Sequence, residues 1–324
     1  MHRLFVAIAA ALLATETAAG QTPVIDVHLH SPFTKANTDA MRRAMDSLNV
    51  HHAVFIGSFD QLAAPLDSAP GRLLPALMFP CAGGRMPNAG VRCFPPDGDF
   101  PPIDWLRAEV KSGRIRVFGE IGAQYLGIAP DDPRLEPYYA LAEELDVPMG
   151  IHLGIGPPGV SYATTLSPAN KSPNYSGLAG DPRLLERVLV RHPKLRLYVM
   201  HAAWPAIESM VYMLYMHPQL YVDISVLQYA VERPAYYRAL QTLVDAGFAN
   251  RIMFGSDGGP RFLRAGIEAI EQAPFLNETQ KSDAQLALTA ELRDGERVIA
   301  SQRSYFRTRA VWHEWSESGG SICL

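Results

Sequence analysis

Eight short apolar runs rich in β-forming residues recur along the chain, at 24–30, 51–58, 73–79, 115–122, 148–154, 195–202, 220–226 and 251–256. Most are separated by stretches with helical spacing. TDAMRRAMDSLN follows the first run, and DWLRAEVKSG precedes the fourth. PRLEPYYALAEELD, DPRLLERVLVRHP, AIESMVYMLYMHP and PAYYRALQTLVDAG precede the fifth to the eighth, and RAGIEAIEQAPF follows the last. The connection around FDQLAAPLDSAPG has the weakest helical pattern. Strands joined through helices pair in parallel, because the crossover returns the chain to the same end of the sheet. Eight such units fit a closed (β/α)8 barrel, the TIM-barrel form of the α/β class, better than an open sheet. With 48% hydrophobic residues in 324, the chain has enough apolar surface for that core. No glycine-rich phosphate loop follows any of the runs, which weighs against a nucleotide-binding doubly wound sheet.

Barrel enzymes assemble their sites at the C-terminal ends of the strands. That rule sorts the histidines. His28 and His30 close the first run in VIDVHLH, His152 the fifth in PMGIHLG and His201 the sixth in LYVMHAAW. Glu120 lies late in the fourth run and Asp257 just past the eighth. His192 and His217 precede strands, His51 and His52 begin one, and all four belong to the opposite face. In an extended chain Asp26, His28 and His30 share one side, with Ile25, Val27 and Leu29 on the other. Taken alone, the two histidines are either ligands or the polar end of a strand; six convergent residues favour ligands.

Imidazoles with carboxylates suit a divalent ion such as Zn2+, with Mn2+ as the alternative. A one-ion centre would take His28, His30, His152 and Asp257; a two-ion centre is the other arrangement open. A second ion needs Glu120 as a bridge, with His152 and His201 moving into its shell. Asp257 is the expected general base, and His201 either a ligand or a catalytic group that steadies an oxyanion. Asp26 lies one alternation deeper, which suits a supporting role. Tyr162, Lys171, Tyr175 and Trp204 lie on or near the rim and are either substrate contacts or ordinary loop packing.

Residues 1–20 read as a signal peptide: Arg3, an apolar stretch from Leu4 to Ala14, and the small residues Ala18 and Gly20 before Gln21. The barrel is expected over 21–283 in an exported protein, periplasmic or secreted. A net charge of −4 and the lack of a basic run argue against a dedicated nucleic-acid partner, leaving a small-molecule substrate. Cys81 and Cys93 flank one loop and are either bridged or free thiols.

The ordered set DVHLH, GEIG, GIHLG, VMHAAW and FGSDGG resembles the amidohydrolase superfamily, in its amidohydrolase-related branch of metal-dependent barrel hydrolases. The likeness spans roughly residues 23–276. It implies His28 and His30 as strand 1 ligands, His152 and His201 as the strand 5 and 6 histidines, and Asp257 as the strand 8 aspartate. GEIG resembles the bridging-glutamate segment of TatD-type nucleases. The branch implies hydrolysis of an ester, lactone or amide, with non-oxidative decarboxylation as the alternative. Two features depart from the pattern. Strand 4 has no lysine for a carboxylated-lysine centre, and 284–324 lacks the usual Asn-Ala-Ala-Arg-like segment, so that tail is expected to be divergent and poorly docked.

Overall fold

The computed structural model describes residues 23–30, 35–62, 71–85, 92–162, 171–281, 292–294 and 297–300. The expected signal segment and most of the 284–324 tail lie outside the described residues, as do 63–70 in the second connection. Eight strands appear where the apolar runs predict them: β1 (Val24–Leu29), β2 (Val50–Gly57), β3 (Leu73–Phe79), β4 (Val117–Ile121), β5 (Met149–His152), β6 (Leu197–Met200), β7 (Leu220–Asp223) and β8 (Ile252–Met253). They form one sheet in sequence order, every pair parallel. Past the end of β8 the chain closes on β1: the Val27 amide donates to the Phe254 carbonyl at 2.9 Å, and the Asp257 amide to the His28 carbonyl at 2.6 Å.

The outer layer comprises α1 (Lys35–Ser47), α2 (Ile103–Lys111), α3 (Glu136–Glu144), α4 (Glu186–Arg191), α5 (Ile207–Met216), α6 (Arg233–Asp245) and α7 (Pro260–Glu271). Proline stands in the first turn of α3, α6 and α7. There its missing N–H removes no helical hydrogen bond. A short antiparallel pair, Leu292–Asp294 with Arg297–Ala300, lies within the segment expected to diverge.

Two apolar clusters divide the strand residues. One gathers strand residues with residues from the helices; the other holds Ile25, Val27, Val54, Ile56, Leu74, Ala76, Val117, Tyr198, Met200 and Met253, and no helix residue. The second is therefore the barrel interior. It interdigitates large with small: a β-carbon at Gly150 would lie 2.4 Å from Tyr198 Cζ and 2.5 Å from Met200 Cε, so β5 yields its interior volume to β6.

This division corrects the strict alternation expected of the first strand. Ile25 and Val27 face the interior, but Leu29 joins Val24 in the helix-facing layer. The β1–β2 register shifts between Asp26 and Leu29, an irregularity of the bulge type that exchanges the faces. Asp26 and His28 therefore do not share a simple strand face.

Candidate metal centre

Each functional side chain sits at or just past a strand end. His28 is the penultimate residue of β1 and His30 follows that strand, Glu120 lies in β4, His152 ends β5, His201 follows β6 and Asp257 follows β8. His28 and His30 meet at their Nε2 atoms, 3.1 Å apart. Glu120 Oε2 lies 3.2 Å from His30 Nε2 and 3.7 Å from His28 Nε2. Asp257 Oδ1 lies 3.5 Å from His28 Nε2 and 3.7 Å from His30 Nε2. The other glutamate oxygen faces the second half of the site. Glu120 Oε1 is 2.5 Å from His152 Nδ1 and 3.9 Å from His201 Nε2, and those two nitrogens are 3.1 Å apart.

All six sequence-predicted residues converge, and they group as in the two-ion arrangement rather than in the one-ion set. His152 groups with Glu120 and His201, and not with His28, His30 and Asp257. Glu120 spans both groups, one oxygen to each.

The donor set fits a metal ion. A tetrahedral ion with ligands at about 2.0–2.1 Å places neighbouring donor atoms roughly 3.3 Å apart. The separations of 3.1 to 3.7 Å around His28, His30, Glu120 and Asp257 bracket that value. Among the described residues, only histidines come within ion-pair distance of Glu120 or Asp257. Carboxylates and imidazoles turned toward one another without a lysine or arginine make a donor set that could hold a cation.

Electrostatics follow from burial and mutual charge. Burial opposes ionisation of Glu120, yet His152, His28 and His30 outweigh it and hold the carboxyl well below the usual range. Burial also works against a charged His28, and the Asp257 and Asp223 carboxylates overcome it, raising its proton affinity well above the ordinary value. His201 goes the other way: burial, reinforced by His152, lowers it. Asp26 is pushed up to about 6 by burial. Its Oδ1 accepts from the His28 and Ser256 amides, each at 3.0 Å, so Asp26 supports the β1 turn and the segment after β8.

Two residues escaped the reading of the sequence. Asp223, the last residue of β7, is fully buried, and its Oδ2 lies 3.0 Å from His28 Nδ1. Ser225, two residues on, places Oγ 3.0 Å from both His28 Nδ1 and His201 Nδ1. Their signal was legible, since LYVDIS carries a carboxylate at a strand end just as FGSDGG does. Around them several non-glycine residues hold left-handed backbone: His201 (φ 57°), Ala202 (47°), Ala203 (50°), Val226 (64°) and Asp257 (50°). Such conformations persist where surrounding contacts over-determine them, and they cluster at functional sites.

On the rim, Tyr125 packs 4.6 Å from the His152 ring, with Tyr175 5.4 Å beyond it. The Tyr175 hydroxyl donates to the Gly154 carbonyl. Burial raises the Tyr125 phenol well above its usual value, keeping it neutral. Of the other rim candidates, Tyr162 is exposed, Lys171 is exposed, and Trp204 packs against the core.

A family model described as Amidohydrolase matches residues 25–297. No curated protein matches the chain. Among solved structures, an uncharacterised TIM-barrel protein from Bordetella bronchiseptica is 16% identical, with a TM-score of 0.57, over 81% of this chain and 95% of that one. A probable 2-pyrone-4,6-dicarboxylic acid hydrolase from Acinetobacter baumannii is 14% identical, with a TM-score of 0.55, over 81% and 96%. A 5-carboxyvanillate decarboxylase from Sphingomonas paucimobilis is 12% identical, with a TM-score of 0.53, over 82% and 96%. At such identities the likenesses speak to the fold alone.

Proposed function

The chain belongs to the amidohydrolase family, enzymes that act on small molecules, and on that premise we propose that it is a metal-dependent hydrolase of a small ester, lactone or amide. His28, His30 and Asp257 would hold one ion, with Glu120 bridging to a second held by His152 and His201. Zn2+ is the first ion to test and Mn2+ the second, from the nitrogen and oxygen donors. A divalent ion there supplies Lewis acidity and lowers the pKa of water toward neutrality.

The observation that carries the hydrolytic reading is the standing of Asp257. Its side chain is 19% exposed at the mouth, whereas the Glu120 and Asp223 side chains are 8% and 0% exposed. Asp257 is therefore the carboxylate with room to meet a water and a substrate together. It would take the proton from the attacking water and return it to the leaving group. Glu120 and Asp223 are engaged with histidines. The Tyr125 and Tyr175 rings lie beside the His152 ring.

Export belongs to the same proposal. It is supported by the apolar N-terminal stretch and by the disulfide between Cys81 and Cys93, a bond that persists in oxidising compartments. Among the described residues no helix is long and apolar enough to cross a membrane.

The test is a panel of lactones, esters, amides and aromatic carboxylates, run with the purified protein before and after chelation. Hydrolysis lost on chelation and restored by Zn2+ or Mn2+ is the expected result. Carbon dioxide release without hydrolysis would replace this reading with a decarboxylase. His28→Ala should lose bound metal and activity together; unchanged metal content in that variant would overturn the ligand assignment.

A further inference from the structure

Asp223 and Ser225 belong to neither ligand group on the mouth side, yet both lie against the far edges of its rings. Their contacts can be assigned atom by atom. Asp223 Oδ1 accepts from the Ser225 amide at 2.9 Å, the His201 amide at 3.0 Å and the Ser225 hydroxyl. Asp223 Oδ2 faces His28 Nδ1 at 3.0 Å. With its proton given to Asp223, Ser225 Oγ has only lone pairs left for His28 Nδ1 and His201 Nδ1, both 3.0 Å away. His201 Nδ1 also faces the Ser225 carbonyl at 3.2 Å. Every partner of the two Nδ1 atoms is thus an acceptor, so each Nδ1 carries a hydrogen. In the neutral rings the lone pairs then fall on Nε2.

We propose that Asp223 and Ser225 are positioning residues that set the tautomers of His28 and His201 together, presenting one lone-pair Nε2 to each half of the centre. His28 Nε2 faces His30, Glu120 Oε2 and Asp257; His201 Nε2 faces His152 and Glu120 Oε1. A neutral His201 in that tautomer accepts at the mouth and cannot donate to an oxyanion, which leaves ligation as its role. Asp223 also grips the His201 backbone, where the left-handed turn through Ala203 begins. One buried carboxylate thereby aligns the ends of β1 and β6, which hold different ligand groups. Hydrogen bonding to the outer nitrogen of a ligating histidine orients the ring and raises its basicity.

This inference rests on the metal reading, and its test separates the two. Nitrogen-15 labelled, metal-free full chain is examined by long-range proton–nitrogen correlation, and Zn2+ alone is titrated against a chromophoric chelator. In the wild type Nδ1 of both His28 and His201 should carry hydrogen, with any second hydrogen on His28 Nε2 lost as Zn2+ is added. Asp223→Asn should weaken Zn2+ binding by about 10–100-fold, because an amide N–H then meets groups that are themselves donors. Ser225→Ala, which removes one hydroxyl and keeps the carboxylate, should weaken it less and keep the wild-type melting temperature within a few degrees. Nε2–H tautomers in the wild type, or unchanged Zn2+ affinity in both variants, would overturn the proposal. If Asp223→Asn does not fold, Ser225→Ala and the wild-type tautomers decide it. A wild type that takes up neither Zn2+ nor Mn2+ would sink the metal reading, with the tautomers still judging the positioning claim.

Discussion

A single methyl group separates the glycine that follows β8 from a disrupted centre. A β-carbon on Gly255 would lie 2.7 Å from His28 Cβ and 2.9 Å from Ser225 Cβ, closer than unbonded carbons approach. Both neighbours are buried and hydrogen-bonded, so neither yields cheaply. Gly255→Ala should cost about 1–3 kcal/mol, the usual range for overpacking, and should lower bound metal by shifting His28. Thermal melting and metal analysis on one preparation check both effects; full metal content with wild-type melting would contradict the packing argument. At this scale the sequence was partly legible. His28, His30, Glu120, His152, His201 and Asp257 are chemically marked residues at strand ends. Gly255 is not, because its constraint is the space between two other strands.

At the scale of elements, the face of the barrel away from the centre carries a different use of histidine. His192 follows α4 and is buried, with Nδ1 2.9 Å from Glu143 Oε2 and Nε2 3.0 Å from Glu136 Oε1. Both glutamates belong to α3, so the ring staples the two helices. The Arg191 guanidinium, with help from His192, holds Glu136 below the ordinary glutamate value despite partial burial. Burial opposes ionisation of Glu143, but hydrogen bonds from His192 and the Lys194 amide hold it lower too. A depressed folded pKa means stability that is fully present above the unfolded value of 4.5 and lost as pH falls through the folded value. Both carboxylates are partly exposed, so screening limits the effect to about 1 kcal/mol or less. Glu143→Gln should therefore melt slightly below the wild type at pH 7, and the gap should narrow as the pH falls toward 3. A gap that widens instead would refute the staple. The sequence placed His192 on this face correctly, but its two partners lie about fifty residues away, beyond any local pattern.

For the whole molecule, the alternation of strands and helices sets the architecture and puts the reacting groups at one end. The loop after β3 leaves from that end, and the Cys81–Cys93 disulfide closes it, with both cysteines buried. In the chain-entropy description, a loop of this length stabilises the fold by roughly 3 kcal/mol. Reduction, or replacement of both cysteines by serine, should lower the melting temperature measurably. Equal melting with and without reductant would show that the bridge contributes nothing. The sequence held bridge and free thiols as alternatives, since spacing alone cannot say whether two cysteines meet.

What the sequence determined by itself is the part of this protein written in local periods. Eight β-like runs with helices between them dictate a parallel barrel, and a polar residue at the end of a run must lie at its mouth. Only the tertiary structure decided how those residues divide. The β1–β2 register shifts around His28, and Glu120 sends one oxygen to each group. Asp223 meets His28 across 195 residues. Contacts of that kind depend on how neighbouring strands stagger around a closed sheet, a property of the packed barrel that no single segment carries.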